Sequence, residues 1–293
     1  MRQIGCWIKT FLTGVRQVVI TSTDSFLLSR IFLRENMEKD FYEDIFKRKS
    51  FHLFRNVGTD KIDQKELEEI ELAFGKFDSL YPEIKTAVRI LPAAELNSVR
   101  DAEYCILIYS EKKDNYLMNV GYMGQQLDLY LVHHNIGSLW FGIGKPDKET
   151  YEGLDYVIMI AIHKVNDLSL YRKDMFKAKR KPLDQIWVGE TLGIGEIARF
   201  SPSACNSQPW LVKNENGTLS VSRYKQPGKR GIMPAKAVSY YNRIDIGIFL
   251  CILELCMAHN SIEFRRTLFI DDGEDREYTK SAEYRIAVSK VQH

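Results

Sequence analysis

The sequence lacks both a surplus of one charge and a long apolar run. Of its 293 residues, 41 are Lys or Arg and 39 are Asp or Glu, so no basic excess favours a nucleic-acid partner. The longest apolar stretches, 156–162 and 244–257, are too short or too interrupted to cross a bilayer. The composition, 45% hydrophobic, is that of an ordinary globular protein, and no membrane association is expected.

Cysteine and histidine are scarce and scattered. The five cysteines form no CxxC pair, and an odd, dispersed set indicates reduced thiols in a cytoplasmic protein rather than a disulfide framework. The six histidines show no HxxxH or HExxH spacing, so no metal site is expected. Cys205 is interpreted as a small buried thiol, because nothing near it in the sequence suggests a nucleophile.

Nucleotide-binding and nucleophile motifs are absent or incomplete. No Walker or G-x-S-x-G pattern occurs. Gly193-Ile-Gly195-Glu-Ile-Ala198 matches the G-x-G-x-x-A pattern, but that fingerprint needs a preceding strand and a helix that opens on it. Here the segment lies within a predicted helical run, 192–200, that leads into a polar loop. A Rossmann site is therefore not favoured.

The first 36 residues differ from the rest of the chain. They are basic, rich in Ser and Thr at 21–25, and poor in acids, which is compatible with a transit peptide. The preferred alternative is an extension without assigned function, because an amphipathic helix begins at Met37. No secretory signal is evident.

Two predicted helices, 119–135 and 243–260, resemble each other at an offset of 126 residues. The basic segments 47–51 and 179–183 also match, at an offset of 132. Two short matches at similar offsets suggest a duplicated unit of about 130 residues, although leucine-rich helices can match by chance. The matched helix pairs include Gly121 and Gly247, Leu127 and Leu253, Leu129 and Leu255, and His133 and His259.

The remaining pattern predicts an α+β fold with a mostly antiparallel sheet. The β-branched runs 104–109 and 156–162 are of strand length, and 63–74 is an acidic-faced helix. The segments 210–213 and 218–222 flank an Asn-Gly turn and predict a hairpin. No low-complexity linker divides the chain, so its parts are expected to pack as one body.

The most informative stretch is Ser201-Pro-Ser-Ala-Cys-Asn-Ser-Gln-Pro-Trp210, in a predicted helix-to-strand loop. It offers hydroxyl and amide groups beside backbone restricted by Pro202 and Pro209. Such groups suit a planar heterocycle with amide-like edges. Composition alone favours a structural turn, because Ser, Asn and Pro are common turn formers.

Four segments resemble markers of the FMN-dependent nitroreductase family. Residues 202–210 resemble its P-S-x-x-N-x-Q-P-W signature, and Arg48-Lys49-Ser50 resembles its R-x-S marker. Residues 135–144 resemble the stretch after the family's central helix, and 179–183 resemble its basic tail before P-L. The resemblance implies a nitroreductase-like α+β fold and an FMN cofactor.

The markers are divided between the two predicted repeat units. Residues 37–175 carry R-x-S without the P-S-x-x-N signature, whereas 176–293 carry that signature with Pro182 in place of the serine. Ordinary family members are homodimers that bind FMN at their interface. This chain resembles members in which two such units are fused, which implies a monomeric pseudo-dimer with one intact flavin site, able to associate further. An ordinary homodimer is the alternative.

The resemblance also implies roles for individual residues. Arg48 and Ser50 would hold the FMN phosphate, with positive charge added by the 179–180 pair. Ser203 and Asn206 would bond the flavin edge, and Gly142 would admit backbone near N5. The alternative for the basic runs is a solvated face; for Gln208, it is satisfying the loop's own backbone. The implied cofactor-binding set is Arg48, Lys49, Ser50, Gly142, Gly144, Lys179, Arg180, Pro202, Ser203, Ala204, Asn206 and Gln208.

No side chain is expected to be catalytic, because the flavin itself carries the hydride. The implied activity takes hydride from NAD(P)H to a small acceptor such as a nitroaromatic, a quinone or a flavin. The alternative is a flavin-binding protein without turnover, or a degenerate member without cofactor. His52 departs from the family pattern, which often has a basic residue there.

Overall fold

Two five-stranded sheets and two long helices form the framework of the described part of the chain. The computed structural model describes residues 41–96, 101–225 and 233–287, all within one compact unit. The predicted extension 1–36 and the start of the helix predicted from Met37 lie outside the described residues, as do residues 97–100, 226–232 and 288–293. Its helices are α1 (residues 41–47), α2 (Gln64–Phe74), α3 (Tyr116–His133), α4 (Gly195–Ala198) and α5 (Val238–His259).

The two sheets share one strand order. Setting β4 and β6 aside, each sheet has its first and second strands adjacent, then its fourth, then its third, in the orders β1-β2-β5-β3 and β7-β8-β10-β9. All these pairs are antiparallel; β4 pairs with β5, and β6 lies parallel to β7. The strands are β1 (Thr86–Pro92), β2 (Tyr104–Ser110), β3 (Ile136–Trp140), β4 (Thr150–Tyr151), β5 (Leu154–Lys164), β6 (Trp187–Val188), β7 (Trp210–Glu215), β8 (Thr218–Tyr224), β9 (Phe264–Leu268) and β10 (Tyr278–Ile286).

Local sequence signals set several boundaries. Asp63 caps α2 and forms a reciprocal capping box with Glu66, which satisfies orphan amides of the first turn. The predicted hairpin is confirmed as β7 and β8, because Asn216 and Gly217 both adopt the positive φ that a two-residue turn needs. The helix predicted over 192–200 is wrong in extent: Leu192 has a φ of 53°, and only α4 is α-helical.

The centre of the unit is the crossing of α3 and α5, which are buried along nearly their whole length. A Cβ atom on Gly121 would lie 2.0 Å from the carbonyl oxygen of Ile244. A Cβ atom on Gly247 would lie 1.9 Å from the carbonyl oxygen of Met118. The four positions form two pairs separated by the same 126 residues, so the contact is reciprocal. Only glycine permits such backbone contact between the helices.

Among the described residues, no helix is both long enough and apolar enough to span a membrane.

Replacing Gly247 with Ala is expected to destabilise the protein by at least about 1–3 kcal/mol, because the new methyl group must push the helices apart. Urea unfolding measures the change. Gly75→Ala is the matched control, since its Cβ would lie 3.7 Å from the nearest atom, the Leu72 carbonyl oxygen, an ordinary contact. Equal stabilities for the two variants would contradict the close crossing.

Candidate functional site

The polar loop of residues 203–208 adopts a strained conformation. Cys205, Asn206 and Gln208 all lie in the left-handed region, with φ values of 50°, 54° and 48°. Such residues cost about 1–3 kcal/mol each and persist only where their surroundings hold them. Strain of this kind in a loop is typical of functional sites, so the contacts that hold it are informative.

Lys181 holds the end of this loop. Its ammonium group donates to the carbonyl oxygens of Ser207 at 2.5 Å and Gln208 at 2.8 Å. Its backbone N–H donates to Gln208 Oε1 at 2.8 Å. Gln208 Nε2 in turn donates to the Asn206 carbonyl oxygen at 3.2 Å. The Gln208 side chain thus bonds the backbone in and beside the loop, which is the alternative role given in the sequence analysis. That Gln208 binds the cofactor stays a prediction.

Arg48 is anchored from the opposite side by Asp128 of α3. Its Nε donates to Asp128 Oδ2 at 2.7 Å, and its NH2 donates to the Ser50 hydroxyl at 3.1 Å. Trp140 Nε1 at 3.1 Å and the hydroxyl of Ser138 also donate to this carboxylate. A solvated basic face is the wrong interpretation for Arg48 and Lys181, which are 5% and 6% exposed. Both are structural anchors as well as positive charges.

Arg180 joins the two sides of the site. Its NH1 donates to Asn206 Oδ1 at 3.0 Å, and its NH2 donates to the Phe200 carbonyl oxygen at 3.1 Å. Its Nε is buried and has no hydrogen-bond partner among the described residues. Burial is the main reason why the pKa of Arg180 is lowered to about 10; the nearby charges of Arg172, Arg48 and Arg199 act in the same direction.

Five cations lie near enough to one another for their charges to interact, and we call them the cation cluster: Arg48, Lys49, Arg172, Arg180 and Arg199. Burial lowers the pKa of Arg172, with a further contribution from Arg48. Burial also lowers the pKa of Lys49, with a contribution from Arg172. Like charges at close range are unfavourable unless an anion compensates them. The cluster is thus suited to bind an anion.

Arg172 is one of the site residues that the sequence did not predict. It follows Tyr171, whose ring packs edge-on against Phe51, and its backbone N–H donates to the Lys47 carbonyl oxygen at 3.0 Å. These contacts bring it beside the R-x-S segment. The available signal was a basic pair, Arg172 and Lys173, close to the proposed boundary at 175 between the two halves.

Arg48 and Arg180 occupy unlike surroundings in spite of their matching sequence context. Arg48 bonds a buried carboxylate, whereas Arg180 bonds a carbonyl and an amide oxygen. Both nonetheless belong to the cation cluster. The match at an offset of 132 is therefore not repeated in structure, unlike the match between α3 and α5.

Other predicted residues line the same loop with smaller roles. The Ser203 hydroxyl accepts from the backbone N–H of Gln208 at 2.9 Å, and Ala204 N–H donates to Asp245 Oδ1 at 2.9 Å. Lys179 is exposed, and its carbonyl oxygen accepts from Asn206 Nδ2 at 3.1 Å. Pro202 is buried.

The two glycines after β3 have a packing role. The Cβ position of Gly142 is filled by the ring of Tyr241, 2.8 Å away, whose hydroxyl donates to the Gly142 carbonyl oxygen. The Cβ position of Gly144 is filled by Met159, 2.4 Å away. Side chains of the protein itself thus fill the space at both positions. That these glycines let the backbone approach a cofactor stays a prediction.

Cys205 is an exposed free thiol, so its interpretation as buried was wrong. Burial is the main reason why the pKa of Tyr241 is raised, and the nearby Cys205 thiol acts in the same direction. Cys205 of the loop therefore lies near Tyr241, whose ring packs on Gly142. Among residues 41–96, 101–225 and 233–287, no group of three His, Cys, Asp or Glu side chains could hold a metal ion.

The family model described as "Putative TM nitroreductase" matches residues 40–257 of the chain. The matched segment includes the R-x-S segment, α3, the polar loop and α5. The chain belongs to the nitroreductase family. The family predicted from the four sequence markers is therefore confirmed. Members of this family are oxidoreductases and are generally flavin-dependent.

The chain is similar to several solved structures, and the first of them shows the same fold. A "putative nitroreductase" from Thermotoga maritima is 18% identical, with a TM-score of 0.51 over 84% of this chain and 93% of that chain. A nitroreductase family protein from Clostridium difficile is 13% identical, with a TM-score of 0.39 over 50% of this chain and 94% of that one. A "putative NADH oxidase" from Clostridium acetobutylicum is 12% identical, with a TM-score of 0.37 and coverages of 50% and 99%. A search of curated proteins finds no significant match.

Replacing Asp128 with Asn is expected to destabilise the protein by about 3–5 kcal/mol, because Arg48 keeps a buried charge without its counter-ion. Chemical unfolding measures the loss. The control is Asp155→Asn, which removes an ion pair with Lys112. The Asp155 side chain is 38% exposed, so this pair contributes at most about 1 kcal/mol to stability. A loss at Asp128 no larger than the control's would contradict its anchoring role.

Proposed function

We propose that the chain is an FMN-dependent oxidoreductase that moves hydride from NAD(P)H to a small acceptor such as a nitroaromatic, a quinone or a flavin. The flavin site is formed by the cation cluster and the loop 203–208. The family supports the oxidoreductase class, and the residues at the site support the cofactor.

The uncompensated charge of the cation cluster carries this proposal. Asp128 pairs with Arg48, and Glu196 pairs with Arg199. Among the described residues, no ion pair engages the remaining three cations, which are Lys49, Arg172 and Arg180. A phosphate monoester brings a charge of about −1.5 to −2 and three acceptor oxygens, which would relieve this repulsion. The buried, unpartnered Nε of Arg180 offers a further donor.

The residues of the chain divide the binding task. Ser50 and the cluster would hold the phosphate, while the left-handed loop presents backbone groups and the Ser203 and Asn206 side chains to the ring system. When bound, FMN supplies the hydride chemistry, so the protein needs no catalytic side chain. The strained loop, held by Lys181 and Asp245, keeps these polar groups in place.

The site is proposed to lie between two fused family-like halves, 37–175 and 176–293. The shared strand order of the two sheets and the reciprocal glycine contacts of α3 and α5 support this duplication. The first half supplies Arg48, Ser50 and Arg172; the second supplies Arg180 and the loop. A monomeric pseudo-dimer with one flavin site and a cytoplasmic setting remain part of the proposal.

The Arg172→Gln variant is expected to bind FMN roughly tenfold more weakly, since a charge-assisted bond of about 1.5–3 kcal/mol is lost. Riboflavin, which lacks the phosphate, should bind it as well as it binds the wild type. Fluorescence titration measures both affinities. Arg48 is less suitable for this test, because its removal also unpairs Asp128.

The control for this test is Arg276→Gln, an exposed cation that pairs with Asp272 away from the cluster. It should leave both affinities unchanged. Equal losses for FMN and riboflavin in Arg172→Gln, or no loss for either, would reject the phosphate assignment.

The purified protein is expected to be yellow, to release FMN on denaturation and to be bleached anaerobically by NADH or NADPH. Absorbance spectroscopy follows the bleaching, with free FMN at equal concentration as the control. A yellow protein that is not bleached would favour flavin binding without turnover. A colourless protein that takes up no added FMN would reject the proposed function.

A further inference from the structure

Asp245 is a fully buried carboxyl beside the polar loop. It lies on α5, is 3% exposed, and accepts from the backbone N–H of Ala204 through Oδ1 at 2.9 Å. Its Oδ2 is also buried and has no hydrogen-bond partner among the described residues. A carboxylate in such surroundings is costly, because an ionised group out of water needs a counter-charge or several donors. The geometry therefore favours the neutral acid.

The neighbours of Asp245 are polar or apolar but carry no compensating charge. Burial raises the pKa of Asp245 to about 8, while the amide of Ala204 and the hydroxyl of Ser207 lower it. The other titratable groups of the loop and of the preceding turn of α5 are Cys205, Tyr241 and Arg243, and none of them contributes to the pKa shift of Asp245. The guanidinium of Arg243 lies against Gly273. From the sheet, Trp210 stacks on Phe249, one turn after Asp245. No described residue forms an ion pair with Asp245.

The matching position on α3 shows what a neutral side chain does there. Asn119 lies 126 residues before Asp245 and is also fully buried. Its Oδ1 accepts from the backbone N–H groups of Leu80 at 2.8 Å and Tyr81 at 3.0 Å. An uncharged oxygen thus suffices to hold a loop against its helix. Compared with Asn119, Asp245 adds only one property, the ability to ionise.

We propose that Asp245 is a positioning residue that holds the loop 203–208 as a neutral acid, so that the hold weakens as the pH rises through the neutral range. The consequence for flavin binding rests on the proposed function; the protonation state of Asp245 does not. Opening the loop would hydrate the carboxyl and return its pKa towards the ordinary value near 4. Between about pH 4 and 8 the closed form keeps a proton that the open form loses, and closing becomes less favourable with each pH unit.

Infrared difference spectra of wild type minus Asp245→Asn test the protonation state directly. A band of a protonated carboxyl is expected at pH 6 and should disappear with a midpoint near pH 8. The absence of this band at pH 6 would overturn the proposal. The same band can be followed in the wild type alone as a function of pH, should the variant fail to fold.

The pH profile of stability tests the positioning role without any cofactor. Between pH 6 and 8 the unfolding constant of the wild type should rise relative to that of Asp245→Asn, by up to about tenfold per pH unit. Asp184→Asn removes an exposed carboxylate of the same half and should keep the wild-type profile. An Asp245→Asn profile parallel to the wild type would overturn the proposal.

Titration with FMN at pH 7 and 8 separates this inference from the proposed function. The affinity of the wild type should fall relative to that of Asp245→Asn, and Asp184→Asn should follow the wild type. An identical pH dependence in wild type and Asp245→Asn would overturn the effect on binding. If neither protein binds FMN, the proposed function fails, while the infrared and stability profiles still decide the state of Asp245.

Discussion

The close crossing of α3 and α5 is the constraint on which the site depends. Glycines at 121 and 247 let the backbones of the helices touch, and larger residues would separate them. Each helix also carries one anchor of the site: Asp128 on α3 holds Arg48, and Asp245 on α5 holds the amide of Ala204. The helix crossing therefore helps to set the distance between Arg48 and the polar loop. A packing requirement in the core is thus coupled directly to the geometry of a polar site.

The two anchoring carboxyls do similar work in different surroundings. Asp128 receives a guanidinium, an indole N–H and a hydroxyl, a set of donors that stabilises a buried negative charge. Burial raises the pKa of Asp245, and the Ala204 amide and the Ser207 hydroxyl offset this only in part because no cation contributes. The same residue type therefore anchors one side of the site through a guanidinium and the other side through a backbone amide.

Local signals in the sequence predicted several elements of backbone structure, whereas the roles of some charged residues depend on contacts between distant parts of the chain. The hairpin at Asn216-Gly217, the helix capped by Asp63 and the polar loop before Trp210 follow from short-range rules of backbone conformation. Arg172 and Lys181 were not foreseen in their roles. Both belong to basic runs that are usually solvated, and only contacts with residues far along the chain bury them.

The sequence by itself determined the family, the α+β class and the division of the markers between two portions of the chain, because these depend on local motifs and periodicity. Tertiary structure decided which cations converge, which lysine pins the loop and why Gly142 must lack a side chain, since Tyr241 fills that space. It also decided the burial of Asp245, whose Oδ2 has no hydrogen-bond partner among the described residues. Charge states of buried groups depend on desolvation and neighbours in space, and neither quantity is encoded at any single position of the sequence.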